Sequence, residues 1–249
     1  MRFSSIPRLL WRGTRFALAL VYDAWRYLRD VRGVSGEGER TARATWLHHC
    51  CQRTLRLMNV HVAVRGPLPK GGLIVANHLT YLDIVALSAA LPCVFVSKME
   101  VADWPLFGAY AQRSGTLFLD RARRGAVSGV AGLMREVLAT GLPLVFFPEG
   151  TSTSGDEVLP FKTSLFEPVA ALGCMVTAAA IRYATADGSV REEIHWWGPM
   201  LLAPHLLKVL AKRRIDVTIH FGESCARGGD RKTIARELHG EVSALLTAP

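Results

Sequence analysis

A chain of 249 residues, half of them apolar, is long enough to bury one substantial core. Its five cysteines are an odd number that includes the adjacent pair Cys50-Cys51, which argues against a disulfide framework and favours a reducing, cytoplasm-facing setting. The net charge of +9 is unevenly placed, because residues 1–32 carry seven arginines against Asp23 and Asp30, a net of +5.

That basic N-terminal segment interleaves its arginines with Leu9, Leu10, Trp11, Phe16, Leu18, Val21 and Trp25. Arg8, Arg12 and Arg15 recur at helical spacing and predict a basic stripe beside a broad apolar surface. The longest uncharged run, Phe16 to Tyr22, is far short of the roughly 20 residues that a spanning helix needs. Charges continue through the apolar stretch, which excludes a cleavable signal peptide. The segment is therefore expected to lie on an anionic membrane surface, peripheral or monotopic, at the cytoplasmic face. No nucleic-acid partner is expected.

Gly33 to Gly38 reads as a hinge and Arg40 to Met58 as a second helix, so residues 1–58 form an expected helical hairpin ahead of a domain over 59–249. The run His48-His49-Cys50-Cys51 is not a metal site on this reading, since consecutive helical residues point in different directions. From here strand-like runs alternate with helix-like ones. Strands are predicted at 61–65, 73–76, 94–97, 116–119, 144–147, 175–183, 194–197 and 215–221, and helices at 81–90, 124–139, 164–172, 201–211 and 231–246. The fold class is α/β, a single open mixed sheet flanked by helices, with ligands expected at the carboxyl ends of strands.

Three turns at such strand ends carry chemistry. Asn77-His78-Leu79-Thr80-Tyr81-Leu82-Asp83 sets a base and a carboxylate about one helical turn apart. Thr80 is the expected N-cap and Asp83 the N3 acid of a capping box, its carboxylate leaning back toward His78. A histidine held by a carboxylate at one nitrogen presents the other as a base near neutral pH. Gly115 to Leu119 leads into Asp120-Arg121, and Lys98 closes the strand upstream; Arg121 is suited to capturing a phosphate or carboxylate. The third turn, Phe147-Pro148-Glu149-Gly150-Thr151-Ser152, bends sharply and offers hydroxyls and backbone amides to a ligand.

These blocks, in order over residues 60–185, resemble those of the glycerolipid acyltransferases, in particular the lysophosphatidic acid acyltransferases. The chain departs from the family pattern where Ala178-Ala179-Ala180 replaces a strand that usually holds a proline, and where Ser152 follows Thr151 in place of arginine. The resemblance implies transfer of a fatty acyl group from acyl-CoA or acyl carrier protein to a lysolipid hydroxyl, with no other cofactor and no metal. His78 and Asp83 would be catalytic. Arg121, Glu149, Gly150 and Thr151, helped by Lys98, would bind the acceptor, with lysophosphatidic acid leading and a lyso-ornithine lipid the alternative. Two rivals are weaker. A serine hydrolase would use Gly222-Glu-Ser224-Cys-Ala226, but Ala226 replaces the last glycine of a nucleophile elbow. A non-catalytic membrane-binding module would leave the three motif turns without a purpose.

Overall fold

The computed structural model describes residues 6–119 and 126–248. Strand β2 (Leu73–Ala76) is buried at all four positions, and its alternation divides the core in two. Ile74 and Ala76 face a layer that includes α2 (Glu37–Met58), α3 (Leu82–Ala90) and α8 (Leu202–Ala211). Leu73 and Val75 face α5 (Ala126–Ala139), α6 (Glu167–Leu172) and α9 (Arg231–Thr247). A strand covered on both faces is expected to be continuously apolar, and Leu-Ile-Val-Ala is.

The remaining strands are β1 (Val60–Arg65), β3 (Val94–Lys98), β4 (Leu117–Leu119), β5 (Leu144–Phe146), β6 (Met175–Thr185), β7 (Ile215–Phe221) and β8 (Cys225–Ala226). They form one open mixed sheet in the order β1-β7-β6-β2-β5-β3-β4, with β8 on β6. β6 pairs antiparallel with β7 and β8; the other pairs are parallel. β5 thus enters between β2 and β3, which brings the carboxyl ends of β2 and β5 side by side, with Val75 opposite Phe146. The loops after these two strands carry the first and third sequence blocks.

Three segments differ from the sequence expectation. Residues 194–197 do not form a strand: they follow the short helix α7 (Val190–Glu193), and Trp196 spends its backbone hydrogen bonds on loops rather than a ladder. A 3-10 turn (Met99–Asp103) and α4 (Phe107–Arg113) fill a stretch where no helix was expected. Residues 124 and 125, the predicted start of α5, lie outside the described residues, as do Asp120 and Arg121.

The third difference concerns α1 (Ile6–Asp30), which turns its polar side inward. Arg8 donates to Ala211 O at 2.8 Å, and the buried Arg12 donates to the carbonyls of Leu210, Lys212 and Arg213. Both guanidiniums therefore satisfy the open carbonyls at the carboxyl end of α8, where positive charge is favoured. They are not part of a basic stripe on the outer surface; Arg15, over the Trp11 ring at 5.4 Å, remains exposed. Further along, buried Asp23 accepts from Arg53 on α2 and from the Tyr110 hydroxyl on α4 at 3.0 Å. Trp46 of α2 donates to the Asp23 carbonyl at 2.9 Å. The outward side holds Leu10, Trp11, Leu18, Val21, Trp25 and Leu28, with Leu18 65% and Val21 70% exposed. No helix among the described residues is long and apolar enough to cross a membrane.

Asp23→Ala should loosen α1 without unfolding the sheet, because Arg53 and Tyr110 lose a shared acceptor. A cost of about 2 kcal/mol, confined to α1, is expected. Hydrogen exchange should show α1 amides losing protection while β2, β5 and β6 keep theirs; uniform loss across the sheet would contradict this division.

Candidate active site

His78 sits three residues after Ile74-Val75 in the loop leaving β2, and Asp83 lies in the first turn of α3. Asp83 is completely buried. One of its carboxylate oxygens, Oδ2, accepts from His78 Nδ1 at 2.8 Å and from the amides of Leu79 at 2.7 Å and Thr80 at 3.0 Å. The other, Oδ1, accepts from the Tyr183 hydroxyl at 2.7 Å. Four donors compensate the buried negative charge, as burial requires. Burial first, and then the neighbouring Asp83, push the Tyr183 phenol well above its ordinary range, so that it stays a donor.

The acid half of the expected capping box is present, since Asp83 accepts from the Thr80 amide. The threonine half is not. Tyr81 occupies the position preceding the helix, and Thr80 Oγ1 is buried with no hydrogen-bond partner among the described residues. Asp83 thus serves His78 and the loop amides together, which is more than a helix cap needs.

The loop after β5 fixes the other side of His78. Glu149 is buried, and its two carboxylate oxygens accept from the His78 amide at 2.7 Å and the Leu159 amide at 2.8 Å. Burial raises its carboxyl from the ordinary value, and those two amides pull it partly back. Each Glu149 carboxylate oxygen thus accepts from one backbone amide, which positions His78 against the loop after β5. Gly150 is buried with φ of 73°, and its amide closes a turn on Phe147 O at 3.1 Å. A side chain there would be strained. Thr153 then returns its amide to the His78 carbonyl at 3.0 Å, so one loop holds both backbone groups of the histidine. The ring itself stacks on Phe147, with centroids 4.2 Å apart and planes 14° apart.

Of the expected hydroxyl ligands, Thr151 is exposed, whereas Ser152 donates to the Trp196 carbonyl and Ser154 to Asp156. These bonds tie the loop to residues 194–197. The Trp196 amide donates to Leu79 O at 2.8 Å, His195 Nδ1 meets Ser154 O, and His205 Nε2 donates to His195 O at 3.0 Å. His205 Nδ1 then accepts from the Tyr81 hydroxyl at 3.1 Å. Gly155, with φ of 84°, lies where a Cβ would strike the His195 ring at 2.6 Å. Lys98 ends β3 in register with Leu119, so it stands beside the strand that leads to Arg121; Arg121 lies outside the described residues.

Two participants escaped the sequence reading. Asn77 exchanges both side-chain bonds with the Ile181 backbone, at 2.8 and 3.1 Å, fixing the end of β2 to β6. Tyr183 comes from the end of β6, a hundred residues from Asp83. The only sequence signal for it was its place at the end of the strand predicted at 175–183.

His78 also lines a cavity of about 200 Å³ on the α2 and α3 side of the sheet, walled mostly by apolar groups that include Phe16, Leu47, Ile84, Phe107 and Phe147. No group of three metal-ligating side chains is found among the described residues. Cys50 and Cys51 are buried, and burial pushes the Cys51 thiol up to about 12. Ser224 bonds to Thr177 Oγ1 at 2.7 Å, and no helix follows it directly, so it lacks the histidine and the turn that a hydrolase nucleophile needs.

A histidine oriented by a buried carboxylate, at the strand ends of an open α/β sheet and beside an apolar cavity, is an arrangement suited to enzyme chemistry on an apolar substrate. The family model described as Acyltransferase matches residues 59–182. The chain is 36% identical to a lyso-ornithine lipid O-acyltransferase of Rhodobacter capsulatus, over 94% of this chain and 88% of that one. It is 37% identical to the protein of that name in Brucella abortus, over 77% and 78%. A 1-acyl-sn-glycerol-3-phosphate acyltransferase of Neisseria meningitidis is 28% identical over 88% and 87%. The crystal structure of the 1-acyl-sn-glycerophosphate acyltransferase PlsC from Thermotoga maritima shares the fold, with a TM-score of 0.64 at 19% identity over 96% of this chain and 99% of that one. The chain belongs to the acyltransferase family, and it is an acyltransferase enzyme.

Tyr183→Phe keeps the ring but removes one donor from Asp83. A loss of about 1 kcal/mol, roughly fivefold in kcat, is expected with KM little changed. An unchanged kcat would reduce Tyr183 to packing. E149Q offers one acceptor where two amides need one each, so it should cost roughly 1–3 kcal/mol of stability and lower kcat with it. Wild-type turnover in a fully stable E149Q would contradict the clamp on His78.

Proposed function

We propose that this enzyme transfers a fatty acyl group from a thioester to the free hydroxyl of a lysolipid, with His78 as general base. The observation that carries the reading is the His78 ring: Nδ1 is held by Asp83, Nε2 bonds to none of the described residues, and the ring lines the apolar cavity. The acceptor hydroxyl gives its proton to Nε2 as its oxygen attacks the thioester carbonyl. The tetrahedral intermediate then expels the thiolate, which takes the proton back from the imidazolium. The C–O bond forms, the C–S bond breaks, and no acyl-enzyme or further cofactor is needed. Asp83 keeps the proton on Nδ1 and stabilises the cation. The donor is an acyl-CoA or an acyl carrier protein.

For the acceptor we favour a lyso-ornithine lipid. Relatives carrying that name reach 36 and 37% identity over most of this chain, and position 152 holds a serine whose hydroxyl is used within the protein, not a cation for a phosphate. Lysophosphatidic acid is the second reading, supported by the Neisseria relative and by Lys98 beside the strand that leads to Arg121.

The outward apolar side of α1 supports contact with a membrane surface at its cytoplasmic face, driven by tryptophans and leucines more than by arginines. Residues 1–58 then act as the membrane-contacting part and 59–249 as the catalytic part.

H78A should fold normally and lose roughly 10²–10⁴ of the rate. Near-wild-type turnover in that variant would remove His78 as the base. Measured in one detergent with both donors, kcat/KM for lyso-ornithine lipid should exceed that for lysophosphatidic acid by about tenfold, equivalent to about 1.4 kcal/mol. The reverse preference would return the assignment to the phosphate acceptor.

A further inference from the structure

Helix α8 has two faces of different character. Its inward face buries His205, Val209 and Leu210, while Leu206 lines the cavity beside His78. Its outward face presents Leu201, Ala203, Pro204 and Leu207, with Leu201 72% and Leu207 48% exposed. The residue at the N-terminal cap is that exposed leucine, which makes no side-chain capping bond. A helix starting in water favours serine, threonine, aspartate or asparagine there. The flanking cations Lys208 and Arg213 are exposed and form no ion pair with a carboxylate among the described residues, whereas the neighbouring Lys212 is buried against Glu193.

We propose that the outward face of α8 is a second lipid-binding surface, which seats the wall of the catalytic cavity against an anionic bilayer. Continuity with α1 supports a bilayer over any other occupant: Arg8 and Arg12, on the inward side of α1, bond to the last carbonyls of α8 and those just beyond it, so the two helices that expose leucines are direct neighbours. To that extent the inference rests on α1 as a membrane-facing helix. The charge also fits, since leucines flanked by the exposed cations Lys208 and Arg213 match acyl chains below anionic headgroups. Bound in this way, α8 presents its leucines to lipid on one side while His205 and Leu206 hold the active-site wall on the other.

The test compares the full-length protein with two double variants, L201S/L207S on α8 and L18S/V21S on α1. Each is partitioned onto vesicles of phosphatidylcholine containing a minority of phosphatidylglycerol. The α8 variant should partition roughly tenfold more weakly, as expected for two leucines denied burial. Its turnover of a short-chain acceptor dissolved as monomers should stay unchanged, which shows that the site is intact. K208Q/R213Q should weaken binding to the anionic vesicles and leave binding to pure phosphatidylcholine unaltered. Wild-type partitioning of both α8 variants overturns the proposal. So does a concentration-dependent dimer, seen by sedimentation without lipid, that L201S/L207S abolishes while vesicle binding persists. If L18S/V21S alone binds normally, the reading of α1 fails and that of α8 stands; if only L18S/V21S loses binding, the reverse holds.

Discussion

The buried carboxylate of Asp83 is the constraint around which this enzyme is arranged. An ionised group with no exposure must be compensated within the protein, and its four donors come from the loop after β2, the histidine in that loop and the far end of β6. Satisfying Asp83 therefore fixes the imidazole, shapes the turn into α3 and ties β6, a parallel neighbour of β2, into the site. Removal of the charge would affect all of these together, so the catalytic role proposed for Asp83 is bound up with a structural one.

The fold was largely legible because its signals are local. Leu73–Ala76 is apolar at every position because both sheet faces are covered, and the spacing of runs after residue 60 follows the alternation of strand and helix. His78 and Asp83 were legible for the same reason, being five residues apart. What was hidden is what the chain brings from a distance. Tyr183 and Asn77 act through contacts across about a hundred residues, and the sequence gives no sign of the two amides that Glu149 accepts from. Residues 194–197 have strand composition, but their partners are loops around the active site, and no periodicity carries that information. The arginines of α1 misled most. Their helical spacing was right, but the side they face depends on carbonyls some two hundred residues later.

The third block also changes meaning once it is folded. Its Glu149 and the following Thr153 hold the two backbone groups of His78, so the loop proposed to meet the acceptor headgroup also sets the position of that histidine. Variation at Ser152 or Ser154 alters contacts to Trp196 and Asp156, and through them the packing around the catalytic loop. Acceptor preference and rate are thus mechanically linked, and substitutions there should change kcat together with KM.

The clamp between α1 and α8 also carries a consequence for biosynthesis. Arg8 and Arg12 find their acceptors only when residues 210 to 213 exist and α8 has formed. Contacts of such sequence separation close late, after the local helices and the sheet that supports them. For most of the time the chain is being made, α1 has an apolar outer side and arginines without their carbonyls. In that interval, nascent α1 is a freer and more basic amphipathic segment than the one in the finished enzyme. Under the membrane contact proposed for α1, delivery to a lipid surface and assembly of the clamp would be separated in time, with the arginines free for the surface first and held by the fold afterwards.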